Sequence, residues 1–359
     1  MRSVRRPCRR PGWPSVSGRR HQAVADARVI PIGGGQDGSR PRRDGALSRD
    51  GQERSEGSRS EGQRDSGPAE VERHEVDGAP ARLDERVADW LDFLRRRFTG
   101  EYEVDDFGFD PEFTDRVIMA PMRPLYDRWF RVETRGIENV PSEGGALLVA
   151  NHSGTIALDA IMTQLALHDH HPARRRLRML GANLVFQTPF LGEMARKSGH
   201  TLACNPDAER LLSRGEIVGV WPEGFKGIGK PYSDRYKLQR FGRGGFVATA
   251  LRTRTPIIPC SIVGAEEIYP ILGNAKVLAR LFNLPYFPVT PTFPLLGPLG
   301  LIPLPSKWII EFGEPILTEH YPEGAADDPM LVFNITDQVR ETIQQTLYRA
   351  LVQRTSVFR

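Results

Sequence analysis

Three short apolar runs, each cut off by a turn-forming residue, constrain this chain more than any other feature. They are Ala146-Leu147-Leu148-Val149-Ala150, Ile217-Val218-Gly219-Val220 and Pro256-Ile257-Ile258-Pro259-Cys260-Ser261-Ile262-Val263-Gly264. None shows the apolar-polar alternation of a strand with one wet face. A strand apolar along its whole length is buried on both faces, as in a parallel sheet layered between helices. Strands and helices alternate from about Gly136 to Val352, with a strand expected at Lys307–Ile316 and a closing helix at Leu331–Val352. The fold class is therefore read as α/β: a single domain with a largely parallel central sheet flanked by helices.

In an open α/β sheet, ligands collect at the carboxyl ends of the strands, beside helix N-termini whose free amides favour negative charge. The first run ends in Asn151-His152-Ser153-Gly154, ahead of a helix expected from Thr155 to Leu167. His152 at a strand end, with Asp159 seven residues on, suits an imidazole that takes a proton from an alcohol and a carboxylate that fixes its tautomer. The two residues equally fit a turn histidine and a helix carboxylate that never meet. The second run ends in Trp221-Pro222-Glu223-Gly224, which again sets a carboxylate on a strand end or makes an ordinary solvated turn.

Taken together, these blocks resemble the phospholipid/glycerol acyltransferase family, whose first motif is Asn-His, four residues, Asp, and whose third is Glu-Gly-Thr. The resemblance runs from about Val132 to Pro315, with Pro256 to Val263 similar to the family's fourth block. It implies His152 as general base, Asp159 as its partner, and Glu223 with Gly224 at the acceptor or glycerol-phosphate site. Asn151, Ser153 and Gly154 are implied as substrate-binding, with amides of this turn or of Gly224 meeting the oxyanion. The activity implied is transfer of a fatty acyl group from acyl-CoA or acyl carrier protein to a hydroxyl of a glycerolipid or lysophospholipid. No metal or further cofactor is implied.

The sequence departs from the family pattern in three places. Six residues, not four, separate His152 from Asp159, so His152 must lie in the preceding turn and fold back. Phe225 replaces the threonine of the third block, and Asn205 stands near the arginine of the second. Substitutes for phosphate recognition crowd the following segment: Lys226, Lys230, Arg235, Lys237, Arg240 and Arg243. Arg and Lys bind phosphate, Arg through paired hydrogen bonds, although a solvated loop would look the same. Arg243 is preferred because it stands in Phe241-Gly242-Arg243-Gly244-Gly245-Phe246, ahead of a helix read from Val247 to Leu251.

Other chemistries lack their signatures. No Gly-x-Gly-x-x-Gly follows a strand, and no Gly-Lys-Ser/Thr closes a phosphate loop. Ser153 lies outside a Gly-x-Ser-x-Gly elbow, so direct transfer is expected and not an acyl-enzyme. His168, His170 and His171 precede Pro172 and an arginine run, and read as a solvent-facing connector instead of a metal cluster.

Composition divides the rest of the chain. Residues 1–81 are rich in Arg, Gly, Ser, Asp and Pro with little to bury, and are expected to be a disordered tail. Its acidic residues dilute its arginine pairs, so no nucleic-acid partner is expected. Residues 82–131 read as amphipathic, through Val87, Leu91, Leu94 and Phe98 and then Met119, Met122, Leu125, Tyr126, Trp129 and Phe130. This segment either packs on the sheet or faces a membrane. The acyltransferase-like domain is set at 132–355.

Leu281 to Pro305 is uncharged and so broken by prolines that it must be loop, turn or short strand, either core-packed or a membrane-dipping rim. Three scattered cysteines favour a reducing compartment. A net charge of +4 agrees with attraction to anionic lipid. The location expected is cytoplasmic, peripheral on the inner face of a membrane, with a membrane lipid as acceptor. Two other functions fit the same features: a non-catalytic membrane lipid-binding protein, and an acyl-thioester or lysolipid hydrolase.

Overall fold

The computed structural model describes residues 83–282 and 284–358, and the expected tail at 1–81 lies outside them. Helix α1 spans Leu83–Thr99, and the sheet with both of its cores lies within the compact unit Phe93–Arg359.

Seven strands form one sheet: β1 (Glu133–Arg135), β2 (Ala146–Ala150), β3 (Leu177–Gly181), β4 (His200–Leu202), β5 (Ile217–Val220), β6 (Ile257–Val263) and β7 (Ile309–Phe312). Their order is β1-β7-β6-β2-β5-β3-β4. Every pairing is parallel except β6 with β7. The three apolar runs are the three adjacent central strands, β5, β2 and β6. Pro259 costs β6 little, because its missing N–H falls just before the register with β7 begins at Cys260, and its carbonyl still accepts from Gly313 N.

The full burial of β2 follows from its period of two. Ala146, Leu148 and Ala150 point into one core, while Leu147 and Val149 point into the other. The first core is covered by α2 (Leu158–Leu165) and the helical turns at 111–129. The second is covered by α3 (Asn205–Ser213), α4 (Gly245–Thr253) and α5 (Pro329–Gln353). Each buried leucine in such a layer contributes about 1.5–3 kcal/mol of apolar transfer.

The segment at 111–129 mixes α- and π-helical turns and faces this core: Met119, Tyr126 and Phe130 are buried, and Trp129 stays partly exposed. In α1, Phe93 is buried with the Arg97 guanidinium 4.8 Å above its ring, while Leu94 and Phe98 are exposed. The three histidines differ from expectation. They close α2 and its continuing π turn, Ala166–His170, with His168 and His171 buried. His168 Nδ1 meets Asp169 at 2.8 Å, His171 Nε2 meets the Val140 carbonyl at 2.9 Å, and the His170 ring stacks on Tyr126. His168 and His171 are packed inside the protein and not in a solvent-facing connector, whereas His170 is exposed. Among the described residues no group of three metal-ligating side chains gathers.

Candidate active site

The adjacent, parallel β2 and β5 bring their carboxyl-terminal turns side by side, with Val149 opposite Val220. The turn after β2 carries His152 and the turn after β5 carries Glu223, and the two are joined directly: His152 N–H donates to Glu223 Oε1 at 2.9 Å. Residues 155–157 stay outside the helix, which starts at Leu158. Asp159 therefore sits in the first turn of α2 while His152 lies in the loop before it. The two additional residues between them lengthen that loop, and the chain folds back on itself.

This fold-back brings His152 Nδ1 to 2.8 Å from Asp159 Oδ2. Asp159 is fully buried, and its carboxylate also accepts Ser153 N–H at 3.0 Å and Ala160 N–H at 2.9 Å. With a carboxylate on Nδ1, the proton belongs on Nδ1 and the lone pair on Nε2. The imidazole side chain retains 14% exposure, and Trp221 lies beside it with ring centroids 5.9 Å apart. The constellation is thus a carboxylate-oriented imidazole with one nitrogen free to take a proton.

Glu223 differs from the role the resemblance implied. Its carboxylate is buried, with Oε1 on His152 N–H, Oε2 on Gln239 N–H at 2.7 Å, and Lys230 Nζ at 3.5 Å. It braces the histidine backbone, each carboxylate oxygen already accepting a backbone N–H inside the protein. Asn151 is likewise turned inward: its amide donates to the Ile262 carbonyl at 3.0 Å and accepts Ile262 N–H at 2.7 Å, stitching the turn to β6. Gly224 takes φ 55° and ψ −143°, a region open only to glycine, and its N–H donates to the Trp221 carbonyl at 3.0 Å. The amides of His152, Ser153 and Gly224 are therefore already bonded and do not form an oxyanion hole.

Ser153 is buried with its hydroxyl lacking a partner among the described residues, as are the Thr155 hydroxyl and the Trp221 indole N–H. Buried polar groups left unpaired by the protein are a recurrent mark of sites that bind something. Gly154 closes the turn at φ 79°.

The cations sort by burial. Lys230 is buried between Glu223 and Glu266, 3.2 Å from the latter, and so is a structural counter-ion and not a phosphate ligand. Burial pushes the Glu266 carboxyl up to about 7, against the opposing pull of Lys230. Arg235 lies over the Tyr232 ring and Lys237 reaches Asp234 at 3.4 Å. Lys226, Arg240 and Arg243 are exposed. Arg243 leads into α4, which runs toward the start of β6, so it stands on the same edge of the sheet as His152. Asn205 opens α3 and is exposed.

Two contributors were not singled out in the sequence. A Cβ on Gly227 would lie 2.8 Å from the His152 carbonyl and 2.8 Å from the Glu223 Cβ, so only glycine lets the short helix Phe225–Ile228 press against both turns. Its signal was the pair of glycines three and five residues after Gly224. Tyr286, from the proline-broken apolar stretch, donates its hydroxyl to the Thr155 carbonyl at 3.1 Å. Burial, and after it the charge of Asp159, raises this phenol above its ordinary value, which keeps it a donor. Nothing local in the sequence signals that reach.

A family model described as Acyltransferase matches residues 131–263. A protein of Mycobacterium tuberculosis, described as uncharacterized, is 58% identical over 283 residues, spanning 79% of this chain and 79% of its own. A similarly described protein of Mycobacterium leprae is 60% identical over 278 residues, 77% of this chain and 76% of its own. A human protein described as a DGAT1/2-independent enzyme synthesizing storage lipids is 25% identical over 176 residues, covering 46% of this chain and 51% of that protein. Among solved structures, the 1-acyl-sn-glycerophosphate acyltransferase PlsC from Thermotoga maritima aligns at 17% identity and a TM-score of 0.44, over 69% of this chain and 85% of that one.

Proposed function

The chain belongs to the phospholipid/glycerol acyltransferase family, and from that premise we propose that it transfers a fatty acyl group from a thioester, acyl-CoA or acyl carrier protein, to a glycerolipid or lysophospholipid hydroxyl. The observation that carries this reading is the 2.8 Å contact between His152 Nδ1 and Asp159, which leaves Nε2 as the base. Nε2 takes the acceptor's proton as its oxygen attacks the thioester carbonyl. The tetrahedral intermediate collapses to the ester, and the proton leaves on the departing thiol. Asp159 steadies the imidazolium that forms between these steps.

The acceptor class is supported by what the similar human protein is described as making, storage lipids. Exposed Arg243 and Lys226 on the same edge are the groups we assign to an acceptor phosphate, where the acceptor carries one. We assign the enzyme to the cytoplasmic face of a membrane, in line with its three widely spaced cysteines.

The test supplies radiolabelled acyl-CoA or acyl carrier protein with lysophosphatidic acid, other lysophospholipids, monoacylglycerol and diacylglycerol in turn. His152→Ala is expected to lower lipid product by about a hundredfold to ten-thousandfold. Equal product from both proteins removes His152 as base. Free fatty acid that forms at the same rate with and without acceptor makes the enzyme a hydrolase.

A further inference from the structure

Between Glu267 and Glu311 the chain has no Asp or Glu, and its cations there are Lys276, Arg280 and Lys307. This segment folds as one module. A two-stranded ladder pairs Gly273–Asn274 with Pro288–Val289. Phe282 stacks on Phe287 at 6.0 Å and Phe287 meets Phe293 at a tilt at 5.5 Å, tying the helix Lys276–Leu281 to the turns beyond the ladder. Gly300 lies against the backbone of Thr292 and Phe293 with no room for a side chain. Trp129 Nε1–H donates to the Pro303 carbonyl at 2.9 Å, and Leu304 N–H to the Ile268 carbonyl at 3.0 Å, fastening the module to the domain.

The inner side of this module braces the catalytic turn through Tyr286 and Thr155. Its outer side is apolar and bare: Leu295 is 84% exposed, Val277 77% and Leu281 74%, with Leu299 and Ile302 also exposed. In the helix, Val277 and Leu281 form one row and the exposed cations Lys276 and Arg280 form the row beside it. An apolar row flanked by cations, with carboxylates absent from the whole stretch, has the charge pattern of an element lying in an anionic lipid interface. Exposed apolar side chains in this number on one segment mark an interaction or membrane-facing surface.

We propose that this outer face, centred on Leu295, Leu299, Val277 and Leu281, inserts into the headgroup-acyl boundary of an anionic bilayer. It thereby sets the His152 turn, which Tyr286 joins to it, at the surface where a lipid acceptor resides. The proposal rests on the acyl-transfer reading only for why a lipid surface is wanted. The insertion itself stands on the exposure and the charge.

The experiment floats the full chain with vesicles of phosphatidylcholine alone or mixed with phosphatidylglycerol. Leu295→Asp with Leu299→Asp is expected to weaken binding to the mixed vesicles by at least about tenfold for each leucine. Val352→Asp, an equally exposed apolar residue on α5, is expected to leave it unchanged. Leu295→Trp supplies a second readout that does not depend on the paired change folding: its emission is expected to shift to the blue on mixed vesicles and be quenched by brominated acyl chains.

Unchanged binding by the folded paired variant overturns the proposal, as does a Leu295→Trp emission that ignores the vesicles. A wild type that is dimeric, and a paired variant that is monomeric yet binds vesicles equally well, makes the face an interface between copies instead. Vesicle binding that persists in a protein giving no acyl transfer sinks the catalytic reading and leaves this one standing.

Discussion

At the carboxyl ends of β2 and β5 most polar groups find their partners inside the protein, whereas across residues 268–304 many apolar side chains, Val277, Leu281, Leu295 and Leu299 among them, are exposed. The first region spends its bonding capacity on itself. Asp159 accepts three donors, Glu223 holds two backbone amides and Lys230, and Asn151 locks the turn to β6. The second region spends little, holding its shape through aromatic stacking and a few backbone bonds. The difference is what the proposed acyl transfer at a lipid surface would require of the two regions. A base must be fixed to a fraction of an ångström, while a surface that meets lipid must leave its apolar area unpaired.

The comparison is broken most severely by disturbing the carboxylate behind the imidazole. Asp159→Asn replaces one accepting oxygen with an NH2, which cannot receive from both His152 Nδ1 and the Ser153 and Ala160 amides. The amide also favours the imidazole tautomer whose lone pair is on Nδ1, leaving Nε2 without a lone pair to act as base. We expect kcat to fall by about a hundredfold or more while acceptor KM stays within about threefold. Initial rates over a range of acceptor concentrations decide it. A loss confined to KM would mean that Asp159 binds substrate and does not orient the base.

The brace behind Glu223 comes next. Lys230→Met leaves Glu223 and Glu266 buried together without their cation, and removing one partner of a buried ion cluster costs about 3–5 kcal/mol. We expect thermal unfolding to begin roughly 10 °C lower. Glu266→Gln added to Lys230→Met should recover part of that loss, since one of the two uncompensated carboxylates is then gone. Additive destabilisation in the double variant would show that Lys230 and Glu266 do not act as a unit.

How much of this was legible follows from how local each cause is. The central strands could be read from the sequence because a strand buried on both faces needs no partner to declare itself, and Ala146–Ala150 does so in five residues. The His152 and Asp159 pairing needed the fold-back at 155–157, which their spacing required but did not ensure. The inward turn of Glu223 and Lys230 was not legible for a different reason. A carboxylate and an ammonium have the same formula whether they turn to substrate or to each other, and the close packing of Gly227 on Glu223 is visible only in the fold. The burial of His171 against the Val140 carbonyl and the reach of Tyr286 to Thr155 depend on partners 31 and 131 residues away, beyond any local pattern.

Arg243 tests the outward half of the comparison with the smallest expected effect. It is exposed, it stands on the sheet edge that carries His152, and it leads into α4. An exposed guanidinium gains little from a phosphate in high dielectric and is screened by salt, so its contribution is modest. Arg243→Ala should therefore raise KM for lysophosphatidic acid roughly threefold to tenfold at low ionic strength, and by less at high, while leaving KM for monoacylglycerol unchanged. Stability should move by less than about 0.5 kcal/mol, because no packed or bonded group is lost. Equal KM changes for the phosphorylated and the neutral acceptor would return Arg243 to the solvated loop and leave the phosphate contact to Lys226 or to the membrane surface itself.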